Sequence, residues 1–378
     1  MAAALEVVFK FVKEGKVLGP FRGDTRFCPV TGHPLVFYPS FVVPKSTLGS
    51  YRWVLNASFN RDGPSINERI TEFTTTLVGV KSSLYPCLRT RFMSRIDLRR
   101  AFKQLFREIS QLHLLATVLG EFVFIDATMS MGLRNTCKLF EEDFMKAFIK
   151  GLLHHHPKLF SDQFGPLTDN YLDDIWFVAD SEEKNRLQLL VAEFWANWLG
   201  IQLNNDKREL PASATRHLGF FIDLQRKAVM ITQKHKRKIT VFFDNFLVAA
   251  RKKERLSIRG VQKMLGLQIW ISSVFRVARQ FLTSVCDILK VTGAHEYFYP
   301  RKHKQLVARA VRDLSFWRRF VTGTAEAGFD YLLNRLPFNR HRLSTDASTS
   351  FGMAGVLRFA QKPKNDHSDV DGLFWQIQ

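Results

Sequence analysis

Two adjacent aspartates, Asp173 and Asp174, give the clearest chemical signal in the sequence. They follow Tyr171-Leu172 and precede an apolar run at residues 175–179, a pattern that predicts a β-hairpin with both acids at its tip. Ionised carboxylates rarely lie beside so much apolar surface unless a cation pairs with them. Two divalent metal ions held by aspartates are a common apparatus for joining nucleotides, so the pair predicts nucleotidyl-transfer chemistry.

A third acid, Asp97, ends the strand-like segment MSRID and precedes a turn. A carboxylate at a strand end, followed by free backbone amides, can hold a metal ion and a triphosphate together. We therefore expect Asp97 and Asp173, assisted by Asp174, to be catalytic and to bind two Mg²⁺ ions, with Mn²⁺ as an alternative. One ion would lower the pKa of a primer 3′-hydroxyl, and the other would neutralise the departing pyrophosphate.

An aromatic side chain follows the third acid at a spacing that suits substrate selection. Phe102 lies in the segment LRRAFKQL, directly after Ala101. A rigid ring under the incoming sugar would exclude a 2′-hydroxyl, which predicts a preference for deoxynucleotides. The alternative is that Phe102 simply fills the core, because Phe is frequent throughout the chain, at 35 residues.

Basic and small residues elsewhere could complete a nucleotide site. Lys45 and Arg52 flank a predicted hairpin turn and could bind the β- and γ-phosphates, although solvated surface charges are the alternative. Gly132 precedes a helix and permits close backbone approach to a nucleotide, or is a plain turn. Lys207 could protonate pyrophosphate as a general acid.

Composition favours a polyanionic partner. The chain has 378 residues and a formal net charge of +20, which indicates nucleic acid first and an anionic membrane surface second. Apolar runs are too short to predict a membrane span, and the first residues show no signal-peptide core. The four cysteines show no metal-binding spacing, so reduced thiols in an intracellular protein are expected, in the cytoplasm or the nucleus.

The elements that must position these residues change character along the chain. Residues 1–90 contain many turn residues and short β-like runs, and residues 139–153 and 182–199 have helical patterns. Residues 232–312 are mostly helical in pattern, with 18 Lys and Arg residues against 4 Asp and Glu residues. Such a basic block suits a grip on a nucleic-acid backbone, or is a solvated helical surface. Within it, Ser257 is predicted to cap a helix whose apolar face carries Val261, Met264, Leu265 and Ile269.

Taken in order, these segments resemble the motifs of a reverse transcriptase. The segment from Asp97 to Phe102 is similar to the first palm motif, Met129 to Phe140 to the second, and Tyr171 to Asp174 to the YxDD box. Lys207 falls in the fourth, and Leu218-Gly219 lies in HLGFFID, which resembles the primer grip. The resemblance implies a right-hand polymerase and carries the catalytic, metal-binding and nucleotide-binding roles to the residues named above, including Ala101.

A finer resemblance is to retrotransposons of the DIRS type, which carry a tyrosine recombinase. It rests on GKVLGPF, YPSFVVPKS and the segment Ser65-Ile66-Asn67-Glu68. The segment LSTDASTSFGMAG resembles the opening strands of an RNase H domain, with Asp346 as a vestigial site residue. Further acids of an RNase H site have no counterpart, so we expect no RNase H activity and a fragment or decayed copy of a mobile element.

The expected fold class is α+β, with an antiparallel palm sheet and a partial RNase H-like α/β segment at the end. Residues 1–90 are expected to form the N-terminal part of the fingers, and residues 91–230 the palm with an inserted fingers segment. Residues 231–338 would be a helical thumb and connection, and residues 339–378 a truncated RNase H-like start. The expected activity is RNA-directed DNA synthesis from dNTPs on a primed RNA or DNA template, without a membrane partner.

Two alternatives remain open on the sequence alone. The second palm motif usually has Leu-Pro where this chain has Met129-Ser130, and Ser130 could loosen the turn that places Gly132. The chain would then be a nucleic-acid-binding remnant without turnover. The other alternative is a nuclease of the RNase H type based on Asp346.

Overall fold

Antiparallel sheets flanked by helices make up the chain, which confirms the expected mixture of helix and sheet. The chain divides into a first unit, residues Met1–Thr215 with Asp223–Gln225, and a second unit, residues Arg216–Ile222 with Arg226–Gln378. The computed structural model describes residues 1–45, 48–60, 63–71, 80–252, 254–293, 295–323, 326–328, 342–348, 352–358 and 372–377.

The helices are distributed over both units. They are α1 (Ala2–Lys13), α2 (Ile66–Arg69), α3 (Val80–Cys87), α4 (Thr136–Lys138), α5 (Lys146–His155), α6 (Pro157–Phe160), α7 (Glu182–Trp198), α8 (Gln233–Lys252), α9 (Ile258–Val274), α10 (Thr283–Thr292) and α11 (Lys304–Thr322). A π-helical segment, Leu139–Met145, joins α4 to α5. Short 3₁₀ helices lie at Ala101–Gln104, Ile109–Leu114, Asn205–Lys207, Arg276–Phe281 and Pro300–Lys302.

The strands are short, and the pairs whose register is defined are antiparallel. They are β1 (Val17–Arg22), β2 (Ser40–Pro44), β3 (Tyr51–Leu55), β4 (Phe92–Asp97), β5 (Ala116–Leu119), β6 (Phe122–Asp126), β7 (Ser161–Asp162), β8 (Gly165–Pro166), β9 (Thr168–Tyr171), β10 (Asp174–Ala179), β11 (Glu209–Ala212), β12 (Ala214–His217), β13 (Phe220–Asp223), β14 (Ala228–Ile231), β15 (Leu256–Ser257), β16 (Tyr297–Phe298), β17 (Glu326–Gly328), β18 (Arg342–Ser348), β19 (Gly352–Arg358) and β20 (Gly372–Ile377).

The central sheet of the first unit has the order β11-β4-β10-β9. Its strand β10 is buried from Ile175 onward, which explains why its sequence is continuously apolar rather than alternating. One face packs on the helical segments around Phe140, Ile149 and Leu189. The sheet therefore has a rigid, close-packed support beneath the ends of β4 and β10.

Helix α7 supports the same core and begins at an N-cap that the sequence supplies. The side chain of Ser181 accepts a hydrogen bond from the N–H of Lys184 at 3.2 Å, which satisfies one of the free amides of the first turn. Leu189, Ala192 and Ala196 are buried on its inner face. The observed range, Glu182–Trp198, agrees with the predicted helix to within one residue.

Two further β elements lie in the first unit near α1. The sheet β1-β6-β5 packs with α1 around Val8, Leu119 and Phe124. Strands β2 and β3 form the hairpin that the sequence predicted around residues 45–52. The N–H of Lys45 donates to the carbonyl of Ser50 at 2.8 Å and closes this hairpin.

The second unit combines the sheet β12-β13-β14-β17 with helices α8 to α11. The ring centroids of Phe243 in α8 and Trp317 in α11 lie 6.4 Å apart, and both side chains are fully buried. These two helices therefore share a core. Ser257 does precede α9, but its side chain makes no capping hydrogen bond. The predicted apolar face is wrong at Ile269, which is half exposed, because the buried stripe runs through Val261, Met264, Gln268 and Ile271 instead.

Strands β18, β19 and β20 form a separate antiparallel sheet. The backbone of Asp346 pairs with Ala354 in this sheet. The side chain of Asp346 lies outside the part that the structure describes, so its proposed vestigial role stays a prediction. Over the described residues, the helices are too short or too polar to cross a lipid bilayer.

Candidate active site

The central sheet brings the three predicted catalytic acids together. Strands β4 and β10 are antiparallel, and their register pairs Asp97 with Asp174. Asp173 lies in the turn just before β10, and its carbonyl accepts the N–H of Leu98 at 2.9 Å. Because directly opposed residues have Cα atoms about 4.5 to 5.5 Å apart, strand register alone places acids from two distant segments side by side.

The turn that presents Asp173 is anchored by a residue that the sequence analysis missed. Leu172 adopts a left-handed conformation, with φ at 52°, which is costly for a branched side chain. The carboxylate of Glu141 accepts the N–H of Leu172 at 3.0 Å and the side-chain amide of Asn170 at 2.8 Å. Both bonds fix the turn from beneath.

Glu141 is fully buried in the π-helical segment between α4 and α5. Burial raises the pKa of Glu141, and the hydrogen bonds from Leu172 and Asn170 partly oppose that increase. Short π-helical turns within helices are frequently found at functional sites. The sequence offered no signal for this role, because Glu141-Glu142 has the pattern of a solvated helix surface.

The carboxylate of Asp97 is held by donors from the segment after α7. The Nζ of Lys207 lies 2.9 and 3.0 Å from the two oxygens of Asp97, and Nδ2 of Asn204 donates to the same group at 3.0 Å. The side chain of Lys207 is 62% exposed, whereas that of Asp97 is 13% exposed. Lys207 therefore reaches the predicted site from solvent, and Asn204 is a second residue that the sequence analysis missed.

Asp174 pairs with a different basic side chain, that of Arg95. Its carboxylate pairs with Arg95 at 3.0 Å, and Arg95 also binds Glu209 of β11. Burial raises the pKa of Asp174 to about 6, while Arg95 lowers it and Asp97 and Asp173 raise it further. The pKa of Asp173 is also raised, first by burial and then by Asp97. The three carboxylates are therefore close enough to repel one another in a poorly solvated place.

The donor set, three carboxylates, has the chemistry that hard divalent cations prefer. Within the described part of the chain, no group of three or more His, Cys, Asp or Glu residues is arranged as a metal site. Asp97 faces Lys207 and Asp174 faces Arg95, so basic side chains neutralise the acids here. Carboxylate oxygens are the ligands that Mg²⁺ prefers, and a cation would relieve the repulsion that raises the pKa of Asp173.

The hairpin of β2 and β3 places basic side chains within electrostatic reach of these acids. Lys45 and Arg52 are both exposed. Burial lowers the pKa of Lys45, followed by the nearby charges of Arg52, Lys10 and Lys207. Arg52 also lowers the pKa of Asp173. Positive and negative groups thus share one region, as binding of a metal-complexed triphosphate would require.

Phe102 lies in the 3₁₀ helix that follows Asp97. Its ring makes an edge contact with the buried ring of Phe140, with 5.2 Å between centroids, and the residue is only partly buried. Ala101 packs against the same core cluster. Phe102 therefore has a fixed base and an accessible part, which leaves both the predicted sugar-selecting role and the core-filling role physically open.

Gly132 occupies a position that no other residue fits. Its φ is 110°, and an added Cβ would lie 2.5 Å from the carbonyl oxygen of Leu55. The side chain of Asn67 donates to the carbonyl of Gly132 at 2.7 Å and accepts the N–H of Arg134 at 2.9 Å. The turn therefore lies directly against β3, the strand that carries Arg52.

In the second unit, Leu218 and Gly219 form the tight turn between β12 and β13. Both have positive φ values, 45° and 86°. An added Cβ on Gly219 would lie 2.6 Å from the ring of Trp270, so the turn packs closely on α9. Their predicted role in holding a primer stays a prediction.

Comparison with known proteins supports the fold. No protein-family model and no curated protein matches the chain. Solved structures of a foamy viral protease-reverse transcriptase do match, at TM-scores of 0.57 to 0.59 and 15 to 16% identity. They contain double-stranded DNA or an RNA/DNA hybrid.

These matches cover nearly all of the chain. They cover 94% to 100% of this chain but only 43%, 52% and 66% of the three matched chains. The chain thus spans about half the length of these neighbours. At such low identity the likeness concerns the backbone alone, and on that basis the chain has a reverse-transcriptase-like fold.

Proposed function

We propose that this chain is an RNA-directed DNA polymerase that adds dNTPs to a primer 3′-hydroxyl by two-metal nucleotidyl transfer. The observation that carries the proposal is the register pairing of Asp97 with Asp174 beside Asp173. Three carboxylates from two segments remote along the chain thereby meet at the ends of the two central strands of the sheet. The reverse-transcriptase-like fold gives independent support.

Asp97 and Asp173, assisted by Asp174, would hold two Mg²⁺ ions, or Mn²⁺ in their place. The bound ions would supply activation of the primer hydroxyl and charge neutralisation at the pyrophosphate. Lys207 pairs with Asp97, and Arg95 pairs with Asp174. Binding of the cations would therefore require these two basic side chains to give up their carboxylate partners.

The chain's own residues would bind and select the nucleotide. Arg52 and Lys45 lie within electrostatic reach of the acids and would bind the triphosphate, Arg52 through a planar fork and Lys45 as a point charge. Phe102 would contact the sugar and exclude a 2′-hydroxyl. Lys207, released from Asp97, could donate a proton from Nζ to an oxygen of the departing pyrophosphate.

A primed RNA or DNA template would be the partner. The block at residues 232–312, with 18 Lys and Arg against 4 Asp and Glu residues, would bind phosphates of the duplex. Leu218 and Gly219 would contact the primer strand. Affinity should therefore fall steeply with salt concentration. The DIRS-type retrotransposon origin and the right-hand division into fingers, palm and thumb belong to the same proposal.

One observation favours a second function, a nucleic-acid-binding remnant without turnover. Two of the three acids already have basic partners, Lys207 for Asp97 and Arg95 for Asp174. If those ion pairs persist in the presence of Mg²⁺, the chain would bind duplexes without extending them.

Primer extension on an RNA template with Mg²⁺ and dNTPs separates the two functions. We expect the parent protein to extend the primer and Asp173→Asn to lose about a hundredfold to a thousandfold in rate, the size typical of losing one transition-state stabiliser. The matched control is Asp169→Asn, a half-buried acid of the same hairpin with a raised pKa and no proposed metal contact. Tight duplex binding without extension by the parent would contradict the polymerase and support the remnant.

A further inference from the structure

A buried ion pair lies immediately behind the candidate nucleotide site. Lys103, the residue after Phe102, pairs with Asp126 at the end of β6. Lys103 is 8% exposed and Asp126 is 1% exposed. Charged residues this deep are uncommon, and none of the roles proposed above uses them. Neither residue is indicated by the sequence, because Lys103 lies in the segment LRRAFKQL, which has the pattern of a solvated surface, and Asp126 has no basic partner near it along the chain.

Asp126 extends the pair toward the turn that carries Gly132. Its carboxylate accepts the N–H of Thr128 at 3.1 Å and the hydroxyl of Thr128 at 3.0 Å. The buried hydroxyl of Ser130 donates to the same carboxylate. The carbonyl oxygen of Ser130 in turn accepts a hydrogen bond from the hydroxyl of Thr136, at 3.0 Å. Ser130 is therefore held through both its side chain and its backbone. The departure from Leu-Pro suggested a looser turn, and these contacts oppose that effect.

Lys103 extends the pair in the opposite direction, toward β3. Its Nζ lies 4.9 Å from the ring centroid of Trp53 and 5.4 Å from that of Phe11. A desolvated ammonium over an aromatic ring is attracted to it. Trp53 is 4% exposed and directly follows Arg52, so the contact fixes the strand from which Arg52 projects.

We propose that Lys103 and Asp126 are positioning residues that set the relative placement of the phosphate-binding, sugar-selecting and turn residues of the nucleotide site. Lys103 lies beside Phe102 in sequence, its ammonium contacts the neighbour of Arg52, and its partner Asp126 binds Ser130 two residues before Gly132. One ion pair thereby links three segments that carry pocket residues. The inference rests on the proposed polymerase function.

Stability alone is a poor reason for this pair. An apolar pair of similar volume is often as stable as a buried ion pair, because both charges lose their hydration. Burial lowers the pKa of Lys103, and Asp126 opposes the decrease, while Arg107 and Lys16 add to it. Keeping the Lys103 ammonium charged in this buried place therefore costs free energy. Such a cost is expected of charged groups that are retained for the geometry that they impose.

The test uses a charge-neutral double variant, Lys103→Met with Asp126→Asn. The asparagine can still accept from Thr128 and bond to Ser130, so the β6 side keeps its hydrogen bonds while the link to Lys103 is lost. We measure the thermal midpoint, the KM and kcat for dNTPs, and the ratio of kcat/KM for dNTPs to that for rNTPs. The matched control is Arg89→Met with Asp162→Asn, which neutralises an ion pair without a proposed nucleotide contact.

We expect the double variant to fold and to show a dNTP KM raised at least about tenfold, with dNTP-over-rNTP selectivity lowered by a similar factor. Displacements of about 1 Å in a reacting site can cost about a hundredfold, so a tenfold effect is within range. The control pair should lower the thermal midpoint and leave both kinetic readouts unchanged. A folded double variant with the parent's KM and selectivity would overturn the inference.

A second variant covers the case in which the double variant does not fold. Ser130→Ala removes only the hydrogen bond from Ser130 to Asp126. It should raise the dNTP KM in the same direction by a smaller factor, and an unchanged KM would count against the inference. A parent protein that fails to extend primers at all would contradict the proposed function itself, which is a different result from extension without these effects.

Discussion

The acid side and the nucleotide side of the candidate site are positioned in different ways. On the acid side, backbone pairing between β4 and β10 places Asp97 beside Asp174. On the nucleotide side, the segments that carry Phe102 and Gly132 are joined by backbone pairing only at an isolated bridge, Phe106 with Thr128, within the described residues. The buried side chains of Lys103 and Asp126 link these segments further, and Lys103 also connects them to β3 through Trp53. A side-chain change at Lys103 or Asp126 should therefore disturb the relative placement of the pocket segments and leave the pairing of Asp97 with Asp174 in place.

The same contrast explains how much could be predicted from the sequence. A strand that ends at Asp97 and a hairpin at residues 168–179 follow from apolar pattern and acid placement, and both are present. The β2–β3 hairpin between Lys45 and Arg52 followed from turn residues. Elements set by a local sequence pattern could thus be predicted.

Contacts that depend on burying a charged side chain could not be predicted from the sequence. Glu141 and Lys103 have sequence surroundings typical of solvated surfaces, and Asp126 ends the apolar run FVFI, yet all three are buried. Their burial depends on partners 23 to 31 positions away, such as Asp126 for Lys103 and Leu172 for Glu141. No periodicity in one segment reveals such a partner.

The largest effect should come from breaking the acid side at its anchor. Glu141→Ala would leave the N–H of Leu172 and the amide of Asn170 without their acceptor in a buried place. We expect a loss of about 2 to 4 kcal/mol in the free energy of unfolding, since each lost bond costs about 1 to 3 kcal/mol. Chemical denaturation measures it.

Extension by Glu141→Ala should also fall, while dNTP-over-rNTP selectivity should stay near that of the parent. Glu141→Gln keeps one acceptor oxygen and serves as the milder comparison. Selectivity that collapses together with rate would show that the two sides are not separately positioned.

A substitution at Gly132 should break the nucleotide side with a smaller loss of stability. Gly132→Ala forces a Cβ to within 2.5 Å of the Leu55 carbonyl at a φ of 110°. We expect a destabilisation of about 1 to 3 kcal/mol from the strained backbone, with a raised dNTP KM. Gly151→Ala is the matched control, because it lies in α5 with open space around it and should stabilise the fold by about 0.5 to 1 kcal/mol. Equal effects of the two substitutions would refute the close packing of this turn on β3.

The smallest expected effect is an increase in stability, and it tests the electrostatics of the acid side. Asp174 has a pKa of about 6 in the fold and an ordinary value of 3.8, so the folded protein binds more protons between these values. The charged form therefore destabilises the fold above about pH 6, and this penalty is relieved as pH falls toward 3.8.

Asp174→Asn should accordingly be more stable than the parent by about 1 to 2 kcal/mol at pH 7.5, after allowance for partial solvent screening. The difference should shrink as pH falls through about 6. Thermal midpoints of both proteins across this pH range, measured without divalent cations, test the prediction. A constant difference at every pH would mean that Asp174 does not titrate as its burial requires.

The central claim, that acids from two distant segments converge to bind divalent cations, is tested most directly by counting bound Mn²⁺. The titration uses electron paramagnetic resonance on the protein with a primed template whose primer lacks a 3′-hydroxyl, and a matching dNTP. We expect two Mn²⁺ ions per chain in the parent protein, and loss of both in the double variant Asp97→Asn with Asp173→Asn. Equal Mn²⁺ binding by the two proteins would contradict the account.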